Sequence, residues 1–331
     1  MPDNLYVHFP FCRGRCSYCT LYSRAGTPKA VRDRYARDLV PFARGYYRTA
    51  YFGGGSPALA DLTPLIASIT ADEFTVELHP LDVTDELLRG LRQGGVNRIS
   101  MGVQSLDDAV LAHMGRGYTF DEAERAFALV RRYFDNAGID LIVGYPGETA
   151  ALLPRHARLA RWKLSHCSVY ALQNERNLPN APDDETTMNR LRTTADFLGE
   201  LGLRRYEISN YALPGRECRH NLAVWRGEDY LGIGEGACGR IGLTRTRGVR
   251  SGDPSVPFSV ETETVSAESD AKERRLFRLR TREGLDATGF PSWLPKLRRF
   301  AAEGLLSAEG ATYRLTPRGQ EVCDTVLAEL V

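Results

Sequence analysis

The chain has 331 residues, and its 43% hydrophobic and 26% charged content is enough for one large α/β domain or two smaller ones. Its 43 Lys and Arg balance 42 Asp and Glu, so it lacks the basic excess typical of nucleic-acid-binding proteins. No apolar run reaches the roughly 20 residues of a membrane span, and the first residues do not form a signal peptide. We therefore expect a cytoplasmic protein without nucleic-acid or membrane partners.

Short β-rich segments alternate with helix-like segments through the first two-thirds of the chain. Strands are predicted at residues 5–9, 50–52, 74–78, 98–103, 138–143 and 166–172. Helices are predicted between them at residues 29–44, 58–70, 85–93, 120–134 and 149–163. Six β/α repeats with short connections predict parallel strands in an open sheet or a partial barrel. In both arrangements the chemistry gathers at the C-terminal ends of the strands.

The pattern changes after residue 206. A helix at residues 185–199 precedes the change, and residues 207–239, rich in Gly, Asn and aromatic residues, predict irregular loops. Residues 248–265 are polar and turn-rich, and residues 267–331 follow the order helix, helix, β-ribbon, helix. We predict a core over residues 1–206 and a C-terminal region over residues 207–331, whose tail from about residue 267 is a small α+β, winged-helix-like unit.

Three of the seven cysteines form the motif CxxxCxxC directly after the first predicted strand: Cys12, Cys16 and Cys19. An odd cysteine number clustered at one end argues against a disulfide framework. Three thiolates on a short loop can reach three corners of an iron–sulfur cube, whose full ligation requires a fourth cysteine. Two alternatives are a zinc site, with His8 as an awkward fourth ligand, and a redox CxxC that leaves Cys12 unexplained.

With this motif and the preceding sequence YVHFPF, the chain resembles the radical S-adenosylmethionine (SAM) group of HemN, the oxygen-independent coproporphyrinogen III oxidase, and HemW, a haem chaperone. The resemblance covers nearly the whole chain. It implies a partial (β/α)6 TIM-like barrel that holds a [4Fe–4S] cluster on the three cysteines. The iron without a protein ligand would bind SAM, and an electron from the cluster would cleave SAM to a 5′-deoxyadenosyl radical.

Motifs at the ends of the following strands match the SAM-binding motifs of this group: FGGGSP from residue 52, VE from 76, GVQS from 102, MGR from 114 and GIDLI from 138. Each motif alone also fits a turn, a helix cap or a strand-end amide, but their joint order favours a ligand site. The resemblance implies SAM contacts by Tyr6, Tyr18, Gly53, Gly54, Gly55, Ser56, Glu77, Gln104, Arg116, Asp140 and Ile142.

The family assigns a role to several of these contacts. Glycine lets the backbone approach the SAM amino group, because a side chain would block it. In the family, Glu77 corresponds to a residue near the ribose or amino group of SAM, Arg116 to one that meets the SAM carboxylate, and Asp140 to one near the ribose hydroxyls.

The C-terminal half resembles HemW more than HemN. It contains the strings YEISNYA, ECRHN, WRG and DYLGIG between residues 206 and 234. His220 is a candidate haem ligand, because imidazole is a common axial ligand of haem iron. A structural hydrogen bond is its alternative role.

The sequence also departs from both relatives. HemN has a further cysteine motif where Thr20 stands. The HemW motif has Tyr where Val224 stands and usually His where Cys238 stands, although a thiolate can itself ligate haem iron. The string GEGACG from residue 234 fits a dinucleotide motif, but no helix-like segment follows it, so we reject that interpretation.

The leading hypothesis is a HemW-like protein that binds the cluster and SAM and delivers haem to apo-haemoprotein acceptors. The alternative is a radical SAM enzyme that acts on a tetrapyrrole or another substrate, in which an electron donor reduces the cluster. The sequence identifies no catalytic residue and leaves open the oligomeric state and whether one or two SAM molecules bind.

Overall fold

The computed structural model describes residues 2–148, 157–173, 176–253 and 255–331. Its strands are β1 Asn4–Phe9, β2 Phe11–Cys12, β3 Arg24–Ala25, β4 Gly45–Gly54, β5 Ile69–Leu78, β6 Arg98–Gln104, β7 Ala137–Val143, β8 His166–Ala171, β9 Arg204–Arg205, β10 Asn210–Ala212, β11 Tyr230–Ile233, β12 Cys238–Ile241, β13 Thr244–Val249, β14 Ser259–Thr264, β15 Leu285–Asp286, β16 Leu306–Glu309 and β17 Thr312–Leu315. Its helices are α1 Lys29–Asp38, α2 Val40–Ala43, α3 Thr63–Ile66, α4 Asp85–Gln93, α5 Asp108–Met114, α6 Phe120–Tyr133, α7 Asp184–Glu200, α8 Arg219–Trp225, α9 Ala267–Leu279, α10 Leu294–Ala302, α11 Pro317–Glu321 and α12 Cys323–Leu330.

One large sheet organises the molecule. In the described residues it has 12 strands, in the order β14-β13-β12-β11-β1-β4-β5-β6-β7-β8-β10-β9. The strands from β11 to β8 in this order run parallel, while β12–β14 and β10–β9 add antiparallel pairs at the two ends. The α/β class with a parallel sheet is therefore confirmed.

Side chains along the parallel strands alternate between an apolar and a polar face, because successive residues of a strand point to opposite sides. In β1, Leu5, Val7 and Phe9 are fully buried in the main hydrophobic core. The intervening Tyr6 and His8 line a cavity on the other face. The same alternation puts polar residues on the cavity side of the neighbouring strands: Thr49 and Tyr51 in β4, Glu73 and Glu77 in β5, Arg98 and Ser100 in β6, Asp140 in β7, and His166 and Ser168 in β8.

Helix α6 shows how local signals and packing agree. Thr119 and Glu122 form a capping box at its N-terminus, which satisfies backbone N–H groups of the first turn. On its buried side, Phe120 and Phe127 stack on Trp162 with ring centroids 5.5 and 5.1 Å apart. The amphipathic helices cover the apolar face of the sheet and leave the polar face open.

The predicted single helix over residues 58–70 is wrong. A 3-10 turn at Pro57–Leu59 and the short helix α3 occupy its first part, and β5 begins at Ile69. Pro57 and Pro64 each begin a new helical turn, because proline has no N–H to continue an existing one. Ile69 pairs with Gly45 and so extends the ladder between β4 and β5.

Residues 207–239 are not irregular, contrary to prediction. They form β10, α8, β11 and part of β12, and β11 pairs in parallel with β1. The turn-rich segment 248–265 likewise contains β14, paired with β13. The predicted helix over 29–44 is divided into α1 and α2. Of the predicted helix over 149–163, residues 149–156 lie outside the described residues, and Ala160–Trp162 forms a 3-10 turn.

The C-terminal tail has a hydrophobic cluster of its own. Helices α9, α10 and α12 and the sheet β15-β17-β16 enclose it, with Trp293, Phe300 and Val326 among its buried members. The predicted two helices, β-ribbon and last helix are present, but β15 lies between the first two helices and the last helix is divided into α11 and α12. The boundary at residue 206 and the likeness to a winged helix stay predictions. None of the described helices combines the length and apolar composition that crossing a bilayer requires.

Two valines on helices give a matched test of this core. Val130 of α6 is fully buried, whereas Val31 of α1 is 47% exposed. We expect Val130→Ala to lower the free energy of unfolding by roughly 1–3 kcal/mol, because it leaves a cavity under the sheet. Val31→Ala should raise it slightly, because alanine favours helix and no packing is lost. Chemical denaturation measures both, and equal effects of the two substitutions would contradict the assigned packing.

Candidate functional site

A cavity of about 1400 Å³ lies on the polar face of the sheet. It extends from the cysteine loop, past the ends of the parallel strands, to residues of the C-terminal tail. Every site residue predicted from the sequence lines it except Gly53: Tyr6, Cys12, Cys16, Tyr18, Cys19, Gly54, Gly55, Ser56, Glu77, Gln104, Arg116, Asp140, Ile142, His220 and Cys238. The fold therefore brings the residues predicted from separate motifs together around one cavity.

Hydrogen bonds to Met114 and Tyr145 fix the position of the cysteine loop. Its three thiols are free and partly exposed to the cavity. Ser17 donates its backbone N–H to the Met114 carbonyl at 3.2 Å, and its hydroxyl hydrogen-bonds Tyr145 Oη at 2.6 Å. Burial raises the pKa of the Cys12 thiol. Within the described ranges, no three His, Cys, Asp or Glu side chains converge on a point that could hold a single metal ion.

His8, considered above as a zinc ligand, has both ring nitrogens engaged. Nε2 donates to the Tyr22 carbonyl at 3.1 Å, so Nδ1 accepts from the Tyr6 hydroxyl at 3.0 Å. Burial lowers the pKa of this imidazole. Its contacts make His8 a support for the cysteine loop and leave no nitrogen for a metal.

The glycine motif is required by the protein's own packing. Gly54 has φ +103°, and a Cβ there would lie 2.5 Å from His8 Cε1. A Cβ on Gly55 would lie 2.3 Å from the Phe11 carbonyl oxygen and 2.9 Å from Cys12 Sγ. The sequence explained these glycines by a ligand's approach, whereas the structure shows that the cysteine loop itself occupies the space. Gly53, which does not reach the cavity, is closely covered by Glu77.

Two partly buried carboxyl groups, at the ends of β5 and β7, face the cavity. Glu77 accepts hydrogen bonds from Tyr51 Oη at 2.7 Å and from the Gly54 N–H at 3.2 Å. Burial, reinforced by the charge of Asp140, raises the pKa of Glu77 to about 7. Burial also raises the pKa of Asp140, which accepts from Ser100 Oγ at 3.1 Å.

Arg116 connects the cysteine loop to the end of β6. Its Nη1 lies 3.5 Å from Cys16 Sγ and 3.4 Å from Tyr18 Oη, and its Nη2 donates to the Gly102 carbonyl at 2.7 Å. Gln104 follows a register shift in β6 and has φ +69°, which turns the strand end here. Tyr18 and Ile142 belong to one small apolar cluster of the cavity wall.

The hydrogen bonds around His220 fix its tautomer. The amide nitrogen of Asn4 donates to the Asp229 carbonyl at 3.0 Å, so Asn4 Oδ1 accepts the Thr49 hydroxyl proton at 2.9 Å. Thr49 Oγ1 lies 2.9 Å from His220 Nδ1 and has no second proton to give. Nδ1–H therefore donates to Thr49, and the lone pair stays on Nε2. The described part of the chain has no hydrogen-bond partner for Nε2.

The surroundings of His220 keep its ring neutral and oriented. Burial, with the charge of Arg98, lowers the pKa of His220 to about 3. The ring stacks on Tyr6 and packs against Tyr51, with centroids 6.3 and 5.3 Å away. Glu73 caps helix α8 by accepting the N–H of His220 at 3.0 Å, and that of the preceding residue at the same distance.

Cys238, the second candidate haem ligand, has an exposed thiol at the start of β12 that lines the same cavity as His220. Its carbonyl lies so close to Gly232 that a Cβ there would be 2.0 Å away. Gly232 in turn pairs with Tyr6 of β1. Tyr6 is thus linked to Cys238 through its strand neighbour Gly232, and the His220 ring stacks against the Tyr6 ring. Val224, where the family motif has Tyr, lines the cavity as well.

Sequence reasoning missed the residues that position these groups, namely Asn4, Thr49, Glu73 and Arg98. Glu73, Thr49 and Asn4 are at most 5% exposed, and Arg98 is among the largest fully buried side chains. A polar residue at every second position of an otherwise apolar strand is the sequence pattern that could have indicated such positioning residues. Their partners, however, are up to 225 residues away in the chain.

The glycine packing gives a paired test in the cysteine loop. Gly55→Ala introduces a methyl group against Phe11 and Cys12, whereas Gly14→Ala, in the same loop, meets no atom within 4 Å. We expect Gly55→Ala to displace Cys12 and to reduce the iron and sulfide bound after anaerobic reconstitution. Gly14→Ala should bind as much as the unmodified protein. Iron analysis and visible absorption measure this, and full incorporation in Gly55→Ala would contradict the geometry.

The raised pKa of Glu77 predicts that the stability of the ligand-free protein depends on pH. The folded state holds this proton up to about pH 7, while the unfolded chain releases it near its ordinary value of 4.5. Stability therefore falls as the pH rises through this window. Glu77→Gln should melt at a higher temperature than the unmodified protein at about pH 8 and show a smaller difference at about pH 5. Glu309→Gln, whose carboxylate is 81% exposed, is the control and should show no such change.

Known proteins resemble this chain in sequence and in structure. The sequence model of the Radical SAM superfamily matches residues 6–160. The protein named "Heme chaperone HemW" from Lactococcus lactis subsp. lactis is 31% identical over 318 residues, which covers 86% of this chain and 83% of the relative. The protein of the same name from Mycobacterium tuberculosis is 30% identical over 370 residues, covering 100% and 95%.

The solved structure of coproporphyrinogen III oxidase (HemN) from Escherichia coli, a radical SAM enzyme, superimposes with a TM-score of 0.83. The match covers 99% of this chain and 90% of HemN, at 20% identity. This likeness establishes the fold, and the sequence relatives establish the family. The chain belongs to the HemW family of the radical SAM superfamily.

Proposed function

We propose that this protein binds a [4Fe–4S] cluster and SAM in one cavity and carries haem, whose iron is held by His220, to acceptor proteins. The observation that carries the proposal is the tautomer of His220. Its Nδ1–H is engaged by Thr49, its Nε2 lone pair is free, and its ring is neutral at physiological pH. A metal-binding histidine needs this state, with the second nitrogen held by a hydrogen bond. The named haem chaperones among the relatives support the same function.

The donor set of the cysteine loop fits a cluster. Cys12, Cys16 and Cys19 supply three thiols and no fourth cysteine lines the same loop, which suits a four-iron cube with one iron left to a small ligand. Arg116 beside Cys16 would offset the negative charge of a thiolate-ligated cluster. When bound, the cluster would supply a one-electron centre with an iron open to the amino and carboxylate groups of SAM.

The strand ends next to the loop offer complementary groups to SAM. Arg116 is placed to meet its carboxylate. Glu77 and Asp140 present acceptors for the ribose hydroxyls or the amino group. Glu77 must lose its proton to act as an ion pair partner, and the positive charge of SAM beside it would favour that loss. SAM binding should therefore shift the charge of Glu77 as well as fill the cavity.

The haem would lie on the other side of the same cavity. Helix α8 presents His220, Val224 and Trp225 to this side. Cys238, whose exposed thiol lines the same cavity, would be the second residue to hold the haem iron. An acceptor protein would then remove haem by replacing one of these ligands, which requires no bond to be broken within the macrocycle.

Haem titration of the anaerobically reconstituted protein tests the proposal. We expect haem binding to produce a Soret band. The affinity for haem measured from this band should fall at least about tenfold in His220→Ala, because a ligand of the iron is lost. Cys238→Ser should change the Soret position if this thiolate is the second ligand. His113→Ala is the matched control, since His113 is exposed and outside the cavity. An unchanged Soret titration in His220→Ala would overturn the assignment of the ligand.

The hydrogen bond to Thr49 gives a finer test of the same assignment. Thr49→Val removes the acceptor of His220 Nδ1–H and should weaken haem binding, whereas Thr49→Ser retains it and should bind normally. The rival function has a separate measurement. If the protein binds no haem, but the reduced protein converts SAM to 5′-deoxyadenosine in the presence of a tetrapyrrole, it is a radical enzyme and not a carrier.

A further inference from the structure

The cavity continues beyond the SAM and haem positions into a lobe at the C-terminal tail. Arg205 of β9, Arg280 after α9 and Gln320 of α11 line this lobe, which we call the arginine lobe. None of the SAM-site residues belongs to it. The lobe contains two guanidinium groups beside a large ligand cavity, which raises the question of what anion they serve.

Arg205 is a cation with neutral hydrogen-bond partners. Its Nε donates to Tyr211 Oη at 2.8 Å and its Nη1 to Gln320 Oε1 at 2.6 Å. Among the described residues no carboxylate lies within ion-pair distance of it. The charges of Glu207 and Glu321 act on this half-buried guanidinium only at longer range, so an anionic ligand group in direct contact would stabilise it further. Its planar donors also suit a carboxylate.

Arg280 is held over the face of Trp225, with its guanidinium carbon 4.7 Å from the ring centroid. Its Nη1 donates to Asp324 at 2.9 Å, and this carboxylate is 82% exposed at the rim. Its Nε is buried without a hydrogen-bond partner within the described structure. Because the Asp324 partner is solvated, a ligand carboxylate could replace it on Arg280 at small cost while the guanidinium stays on Trp225.

The other carboxyl groups near the lobe are already accounted for. Glu321 is gripped by Arg192 through two hydrogen bonds of 2.7 and 2.6 Å. Glu207 accepts from Asn210 and from the Ser209 N–H, and burial raises its pKa towards the neutral form. The charged groups of this lobe that can still pair with a ligand are therefore the two guanidinium groups.

Trp225 connects the arginine lobe to the proposed haem ligand. It lies on the same helix as His220, five residues later, which corresponds to a rise of roughly 7.5 Å. Tyr206, next to Arg205 in the chain, accepts the N–H of Cys218 at 3.2 Å, at the start of that helix. Both arginines therefore line the same cavity as His220, and Arg280 contacts the helix that carries it.

We infer that Arg205 and Arg280 form the subsite for the two propionate carboxylates of the bound tetrapyrrole. This inference rests on the proposed function and adds the chemical class that the cavity selects, an iron macrocycle with a dicarboxylate edge. His220 holds the iron, and the arginine lobe fixes the rotation of the ring in its plane by charge-assisted hydrogen bonds.

Haem and haem dimethyl ester distinguish this subsite from the iron ligand, because the diester keeps the iron and the ring but has no propionate charge. Both are titrated into the full, cluster-reconstituted protein in the same mixed solvent, and the Soret band is followed. We expect the unmodified protein to bind haem about tenfold or more tightly than the diester, because each propionate adds charge-assisted hydrogen bonds. Arg205→Gln with Arg280→Gln should remove this preference and leave diester affinity unchanged.

Matched variants make each outcome decisive. Arg205→Lys should retain part of the preference, because it keeps the charge. Arg282→Gln is the control: this arginine is 61% exposed, pairs with Glu217 and does not line the cavity, so the preference should be intact. Circular dichroism confirms that each variant is folded. Should the double variant also fail to fold, the two single variants report the preference separately.

The failures of the two proposals look different. A haem-to-diester ratio that is the same in the double variant and in the unmodified protein overturns the propionate subsite and leaves haem binding by His220 intact. Absence of a Soret band with both compounds in the unmodified protein overturns the proposed function, and the subsite with it.

Discussion

The alternation of side chains along strand β1 is the constraint on which the rest of the structure depends. Leu5, Val7 and Phe9 are fully buried under the helices, while Tyr6 and His8 face the cavity. β1 lies between β11 and β4, near the middle of the sheet, so its register sets that of its neighbours. A slip of β1 by one residue would exchange its core and cavity side chains. Stability and binding are thereby assigned to opposite faces of the same sheet.

Close backbone packing then joins the cysteine loop to this sheet. Gly54 and Gly55 leave room for His8 and Cys12, and His8 holds the loop through the Tyr22 carbonyl. Beyond the third cysteine, Tyr22 and Arg24 both contact the buried carboxylate of Glu235, at 3.0 and 3.2 Å. Glu235 lies in the turn between β11 and β12.

That turn leads directly to Cys238, so the loop expected to hold the cluster and the strand that carries a candidate haem ligand share one buried ion pair. On the other side of Tyr6, Glu73 and Thr49 of neighbouring strands orient helix α8 and His220. The two halves of the cavity are thus built on the same few strands. The contacts that join the two halves are therefore strand pairing and buried hydrogen bonds.

The sequence by itself determined the parts that depend on local pattern. The spacing of Cys12, Cys16 and Cys19, the glycine motif and the alternation of strands and helices predicted the α/β class and the edge where the site lies. These signals are short in sequence, because a loop's ligands and a strand's faces are set by neighbouring residues. The segment around α3 was misjudged since prolines and the pairing of β5 override its helical periodicity.

Only the tertiary structure decided the tautomer of His220 and the addition of β11 to the sheet. The tautomer depends on Asn4 and Thr49, which are 45 residues apart from each other and far from His220 in the chain. The pairing of β11 with β1 joins residues 230–233 to residues 4–7. Hydrogen bonds of this range leave no periodic trace in the sequence, because each partner's type is compatible with many others. The fold had to bring them together before their chemistry was defined.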